Sequence, residues 1–484
     1  VPAPSPVLSA EPTSVYRAAS AAILALTALR VVALLLNRTD LFVDEAQYWD
    51  WSRALAPGYY SKPPLIAWVI ALTTGLFGDA EWAVRLAAPL LHGVTALTLA
   101  ALGRRLYGAS AGALAGLVYA TLPAVSLSSA LISTDVPLLT CWSVALLFYT
   151  RWLDSDRWRD ALGLGLALAL GLNAKYAMGF FVMATLIHLG SDRALRQRLA
   201  SPRLWLAVLI GVAALAPNVL WNLANGNPTF AHTQENIGWG RHFDPRHVLD
   251  FVASQFGVFG PVALIVLVLA GFGRLRTERR DADRLLLAFS LPILAIFVGE
   301  AIIARAYANW AATAYPAAAV LVGALMAAPA ARWWRRLSFA IVGLAALVML
   351  VAAAVAPQLV RAGLGGPLSR LIGWSDYAAA LSPILDKDGV RTVIVGNRDA
   401  AAGLLYQLRG RDIAVVTAPF QGAPRHHFQL SRPWRPDLPR PALLLDRPGA
   451  ALPAPLAAAG PATNVPVARA VEPGRAVAAQ PVTW

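Results

Sequence analysis

The sequence predicts an α-helical polytopic membrane protein with a small α/β domain at its C-terminal end. Three observations lead there. Hydrophobic residues make up 57% of the 484 positions and charged residues only 14%, against roughly 25% charged in a soluble domain. Mean hydropathy is +0.56. The basic residues fall in short clusters between apolar runs, which gives the net charge of +14 a topological origin. A nucleic-acid binder gathers its arginines in one patch; loops on one side of a membrane collect them in the pattern seen here.

About 20 apolar residues cross the hydrocarbon core. Spans are expected near 18–36, 81–103, 109–126, 136–152, 160–173, 176–189, 204–222, 248–271, 284–299, 307–327 and 338–357. The first has no basic n-region and no cleavage site, so it reads as a retained anchor. Arg104/Arg105, Arg151–Arg159, Arg193–Arg203, Arg274–Arg280 and Arg332–Arg336 then all fall on one side, giving about eleven spans with a cytoplasmic N-terminus. Residues 160–189 are split into two short helices to keep this pattern. Their tip, "GLNAKYAM", then carries Lys175 part-way into the bilayer. Segments 44–56 and 64–77 are too short to cross and are read as two helices on the outer face.

From about residue 358 the pattern changes. A helix over 375–389, strands at 391–396, 412–417 and 441–447, and a helix at 398–408 outline an outer α/β domain. The domains are therefore expected at 1–357, with a first outer loop at 38–80, and at 358–484. There is no Walker loop, no zinc-spaced Cys/His set and no GxSxG, so nucleotide hydrolysis and serine chemistry find no support. Cys141 has no partner for an internal disulfide.

Polar groups collect on the predicted outer side. Ionisable groups at membrane depth cost roughly 2.5–3.5 kcal/mol each and default to a functional reading. In "DEAQYWDW", Asp44 and Glu45 open a helix. Acids there complement the helix dipole, but Asp44 beside an aromatic-lined bundle is also placed to act as a general base, with Glu45 orienting an acceptor. Asp40 and Asp50 read as solvated or capping. In "YYSKPP", Lys62 is either an interfacial lysine or a phosphate contact, with Tyr59 and Tyr60 as belt or sugar-contacting aromatics. Lys175, recessed, needs an anion, and phosphate would serve; Tyr176 lies beside it. The polar loop 224–247 offers His232, Glu235 and Arg241, the last suited to clamp a phosphate or carboxylate. Its histidines match no strong metal spacing, which leaves a divalent metal a weak possibility and no residue assigned to one. "ARAYANW" adds Arg305, Tyr307 and Asn309 for sugar or lipid. Asp135 in "STD" caps a helix or orients the acceptor.

"DEAQYW", "SKPPL", "VRL" (84–86), "NAKYAM" and "NW" (309–310) together resemble the GT-C membrane glycosyltransferases over about residues 15–330. They are most similar to the group of lipid A aminoarabinose transferases, lipopolysaccharide galacturonosyltransferases and bacterial relatives of protein O-mannosyltransferases. The resemblance implies a bacterial inner-membrane enzyme that transfers a sugar with inversion from a polyprenyl-phosphate donor. The acceptor would be lipid A or lipopolysaccharide core, on the periplasmic side. It gives Asp44 the place of the family's first-loop acid, Lys62 that of a donor-phosphate lysine and Arg85 that of an arginine opening the second span. Aminoarabinose transferases show Glu-Lys-Pro where this chain has Ser61-Lys62-Pro63, which puts a metal ligand in doubt. A protein O-mannosyltransferase is the nearest rival; a lipid-linked sugar transporter is more remote, since no internal repeat is present.

Overall fold

The computed structural model describes residues 13–237, 244–465 and 477–484. The chain packs as two compact units. One comprises residues up to Leu35, Lys62–Ile66 and Arg85–Leu350; the other comprises Leu36–Ser61, Ala67–Val84 and the chain from Val351 onward.

Among the described residues seven helices are long and apolar enough to cross a membrane: Thr13–Leu36, Glu81–Tyr107, Asp135–Ser155, Pro202–Ala224, Arg280–Ile303, Ala308–Ala327 and Pro329–Ala354. Shorter apolar helices run at Leu65–Phe77, Ala109–Thr121 and Tyr176–Gly190. The protein is thus a multi-pass membrane protein. Two expected spans are broken: residues 109–126 form Ala109–Thr121 and, after Leu122, the short helix Pro123–Ser128. Residues 248–271 do not form a straight helix but two, Pro245–Phe259 and Pro261–Gly271, bent by 112°. Gly260 adopts φ +83° between them; Pro261 cannot donate to the preceding turn, so a new helix starts there.

Small residues let the helices of the first unit approach closely. A methyl group added at Gly112 would lie 2.5 Å from the Arg104 nitrogen, and one at Gly323 would lie 2.5 Å from the Ala115 nitrogen. Trp142, Phe181 and Phe289 fill the space between helices, with ring centroids 4.9–6.3 Å apart. The arginine clusters meet at one end of this unit. Arg105 pairs with Asp154, Arg203 with Asp156 at 3.0 Å, and Arg284 with Asp192 at 3.5 Å. Asp135 opens the helix that Asp154 nearly ends. At 1.5 Å per residue the two acids are about 28 Å apart along its axis, at opposite ends.

The second unit is built on a sheet of strands β1 (Thr392–Val395), β2 (Ala414–Thr417), β3 (Ala442–Asp446), β4 (Ala457–Ala458), β5 (Thr463–Val465) and β6 (Val477–Thr483). The order is β2-β1-β3-β6-β4, with β5 also paired to β6. β1 runs parallel to β2 and β3, in register Thr392 to Ala414 and to Ala442. β6 returns antiparallel, Ala442 facing Val482. β1 is buried at every residue, as a central parallel strand should be. The three expected strands are present, and the helices Trp374–Lys387 and Arg398–Gln407 lie where the apolar spacing put them.

The helix Val43–Arg53 packs in this unit against Arg398–Gln407. Trp49 meets the Tyr406 ring edge-on at 5.1 Å, and both donate to Asp79, through Nε1 at 2.7 Å and the hydroxyl at 2.7 Å. The helix Leu65–Phe77 is apolar except for the buried Thr73 and Thr74. Ile66, Ala67 and Ile70 are buried, while Leu72, Leu76 and Phe77 are exposed. In a membrane protein such an outward apolar face belongs in lipid.

Candidate active site

In the first unit, four elements bring polar side chains together. The helix Trp158–Ala174 ends at Lys175, whose backbone is extended (φ −164°, ψ 138°) before a 3-10 turn at Tyr176–Met178. The break frees the lysine from the helix surface. Its Nζ donates to Asp135 Oδ1 at 2.7 Å, and Asn309 Nδ2 donates to Asp135 Oδ2 at 2.8 Å. The anion beside Lys175 is thus a protein carboxylate, and the charge of Lys62 falls on it too. Thr134, not Asp135, precedes the helix as its cap, without a side-chain cap bond.

Tyr176, Arg305 and Tyr307, also expected, have partners of their own in this unit. Arg85 is 1% exposed. Tyr176 donates its hydroxyl to Asn218 Oδ1 at 2.5 Å. Arg305 lies 5.4 Å over the Tyr307 ring, which tilts against Trp310 at 5.3 Å. His232 is half-buried and Glu235 exposed on the helix Pro228–Ile237. Arg241 lies outside the described residues.

In the second unit, the four acids of 40–50 have four different fates. Asp40 Oδ2 accepts from the Gly373 and Trp374 N–H groups at 2.8 Å and from Ser375 at 3.3 Å, satisfying the open start of the helix Trp374–Lys387. Glu45 is buried, with Oε2 accepting from the Phe42 N–H at 2.9 Å, so it closes the start of its own helix. Asp50, 6% exposed at its side chain, accepts from Arg432 Nη2 at 2.6 Å with His427 Nε2 at 3.9 Å. Burial pushes its carboxyl above the usual range, and Arg432 pulls it back only in part. Asp44 alone keeps substantial exposure: 43% of its side chain is open, and it pairs with Arg398. Tyr59 and Tyr60 are buried and serve the backbone. Tyr59 stacks on Trp51 at 4.5 Å and donates to the Trp51 carbonyl at 3.0 Å; Tyr60 donates to Pro424 O at 3.1 Å.

Arg398 and Arg432 escaped the reading of the sequence because nothing local ties them to a loop more than 350 residues away. One signal existed: "NRDAAAG" puts an arginine in the first turn of a helix capped by Asn397, the turn where a cation is least favoured. Among the described residues no group of three or more His, Cys, Asp or Glu side chains converges to hold a metal ion.

The fold is that of the GT-C membrane glycosyltransferases. The structure matches that of ArnT from Cupriavidus metallidurans bound to undecaprenyl phosphate with a TM-score of 0.66 at 19% identity, over 95% of this chain and 98% of that one. Residues 61–221 match the family described as dolichyl-phosphate-mannose-protein mannosyltransferase. The chain is 36% identical over 411 residues to the lipid A galacturonosyltransferase RgtD of Rhizobium johnstonii, covering 84% of this chain and 86% of that protein, and it belongs to the same family of membrane glycosyltransferases. It is also 28% identical over 233 residues to an undecaprenyl phosphate-α-4-amino-4-deoxy-L-arabinose arabinosyl transferase of Pseudomonas fluorescens, covering 46% of this chain and 40% of that one.

Proposed function

We propose that this glycosyltransferase moves a galacturonosyl residue from a polyprenyl phosphate to lipid A, on the periplasmic side of the bacterial inner membrane. The observation that carries the reading is the 36% identity to a lipid A galacturonosyltransferase, sustained over 84% of the chain. The ion-paired arginine ends of the first unit support the orientation: arginine-rich ends stay in the cytoplasm, and the Lys175–Asp135 cluster lies at the other end of the same helix.

The roles follow from charge. The acceptor hydroxyl attacks the anomeric carbon from the face opposite the phosphate and gives its proton to Asp44. The bond from that carbon to the phosphate oxygen breaks, the electron pair leaves with polyprenyl phosphate, and the configuration inverts. No second carboxylate acts as nucleophile, unlike in a retaining glycosidase. The phosphate gains negative charge as it leaves, so fixed cations stabilise the transition state more than the ground state. Lys62, Lys175 and Arg85 supply them, with Asp135 and Asn309 holding Lys175 in place and Arg241 a further phosphate contact. Arg305, Tyr307, Tyr176, His232 and Glu235 remain for the sugar and lipid.

Mass spectrometry of envelope glycolipids from cells with and without the protein tests this. Loss of one hexuronic acid residue from lipid A, with polyprenyl-phosphate uronate accumulating, is the expected result. Unchanged lipid A with altered glycoproteins would move the acceptor to protein hydroxyls. No change in either would point to transport.

A further inference from the structure

We propose that Arg398, on the α/β region after residue 351, is a positioning residue for the Asp44 carboxylate, so that this region is part of the catalytic apparatus. The inference rests on the assignment of Asp44 as the base.

The contact is specific. Arg398 Nη2 binds Asp44 Oδ1 while its Nε donates to Gln47 Oε1 at 2.8 Å. One planar guanidinium thus grips the first and second turns of the helix Val43–Arg53 together, which fixes the carboxylate's orientation as well as its place. Among the described residues Asp44 Oδ2 has no partner, so one oxygen is held and the other is open. A base needs that arrangement: an aimed lone pair within reach of an incoming hydroxyl.

Two magnitudes argue that docking is not the purpose of the pair. The side chains of Arg398 and Asp44 are 34% and 43% exposed, and ion pairs at such exposure contribute about 0–1 kcal/mol. The loop is already held by Asp40 at the Trp374–Lys387 helix, by the buried Asp50 with Arg432, and by the Trp49–Tyr406 contact. Second, Arg398 sits in the first turn of its own helix, where a cation costs about 0.3–1 kcal/mol. Asp399, 4.0 Å from Nη1, offsets this only in part. A residue placed against local preference, in a contact too weak to matter for stability, fits a role in rate.

The test uses the full-length enzyme with polyprenyl-phosphate galacturonate and lipid A. Arg398→Gln should lower kcat by about 100-fold, the effect of a base misplaced by an ångström, with donor KM and thermal midpoint unchanged. Arg398→Lys restores the charge but not the fork and should fall between the two. In an Asp44→Asn background, Arg398→Gln should cost nothing further, because a residue acting through Asp44 has nothing left to act on. Wild-type kcat in Arg398→Gln overturns the proposal. So does a loss that Lys does not relieve and that tracks the thermal midpoint, or a loss that adds in full to that of Asp44→Asn. If Asp44→Asn itself turns over normally, the assignment of the base has failed, and that outcome is distinguishable from an inactive Asp44→Asn beside a fully active Arg398→Gln.

Discussion

Asp135 and Asp44 each face a cation, but their surroundings differ. Asp135 is 13% exposed at its side chain, and both of its oxygens are taken, by Lys175 and Asn309. Asp44 is 43% exposed and gives one oxygen to Arg398. The first carboxylate keeps lone pairs, but both its oxygens face donors and little of it is open to a substrate; it chiefly holds a lysine. The second is restrained without being consumed. The comparison teaches that an acid's capacity for proton transfer is read from what its second oxygen does, not from whether it is paired.

Breaking the buried pair should have the largest effect. Asp135→Asn leaves Lys175 charged without its counter-ion in a site where both side chains are under a fifth exposed. Removing one partner of such a pair costs about 3–5 kcal/mol, much of it from the stranded charge. Thermal unfolding in detergent should show a large drop. The double variant Asp135→Asn/Lys175→Gln removes the stranded charge and should recover most of the stability, while donor KM stays raised if Lys175 also meets the donor phosphate. Recovery of both stability and donor KM would sharpen the comparison the other way: Lys175 would then serve only its pair.

The loop in the second unit allows a smaller and cleaner break. Asp40 takes three N–H groups at the start of the helix Trp374–Lys387. Asp40→Ala should lower stability by about 1–2 kcal/mol, the usual cost of a lost N-terminal cap. Turnover per folded molecule should be unchanged, in contrast to Arg398→Gln. A fall in kcat with the thermal midpoint unmoved would show that the loop's acids share one function and would erase the distinction between cap and base.

These partners also mark the limit of what the sequence could say. The break at Lys175 was legible because two short apolar arms, each with a basic cluster at its far end, read as two helices joined at "GLNAKYAM". The strands at 392–395, 414–417 and 442–446 were legible because each is a short buried run of branched residues between turn signals. The acids of 40–50 were legible as unusual, but not their partners, which lie 333, 354 and 382 residues away for Asp40, Asp44 and Asp50. No periodicity encodes a pairing across that distance. Tyr59 and Tyr60 show the same limit from the other side: an aromatic beside a membrane can face lipid, sugar or the core, and only packing decides. The bend at Gly260-Pro261 was written in the residues, but span counting by hydropathy averaged over it.

An effect that shows only on acidification concerns the contact between His427 and Asp50. His427 is buried against Trp51, ring centroids 5.3 Å apart and near edge-on, with Nδ1 lacking a partner among the described residues. Burial, with the charge of Arg432 beside it, pushes its pKa down to about 3. In an unfolded chain the same imidazole titrates near 6.5. Between these values the unfolded state binds the proton and the folded state does not, so stability rises with pH in this window. The contribution is fully present above about 6.5 and is lost as pH falls toward 3, by up to about 1.4 kcal/mol per pH unit for one proton. His426, lowered to about 4 by burial and Arg398, adds in the same direction. Asp50, raised by burial, acts with the opposite sign, so the wild-type profile alone mixes the two. His427→Phe keeps an aromatic edge against Trp51 and removes the proton site. The difference between wild-type and variant unfolding from pH 7 to pH 5 therefore isolates His427: the variant should lose less stability on acidification. Parallel profiles would mean that His427 takes up its proton in the folded state as easily as in the unfolded one, as it would if Asp50 accepted a charged hydrogen bond from it, and the loop would then be held by an ion triad in place of one ion pair.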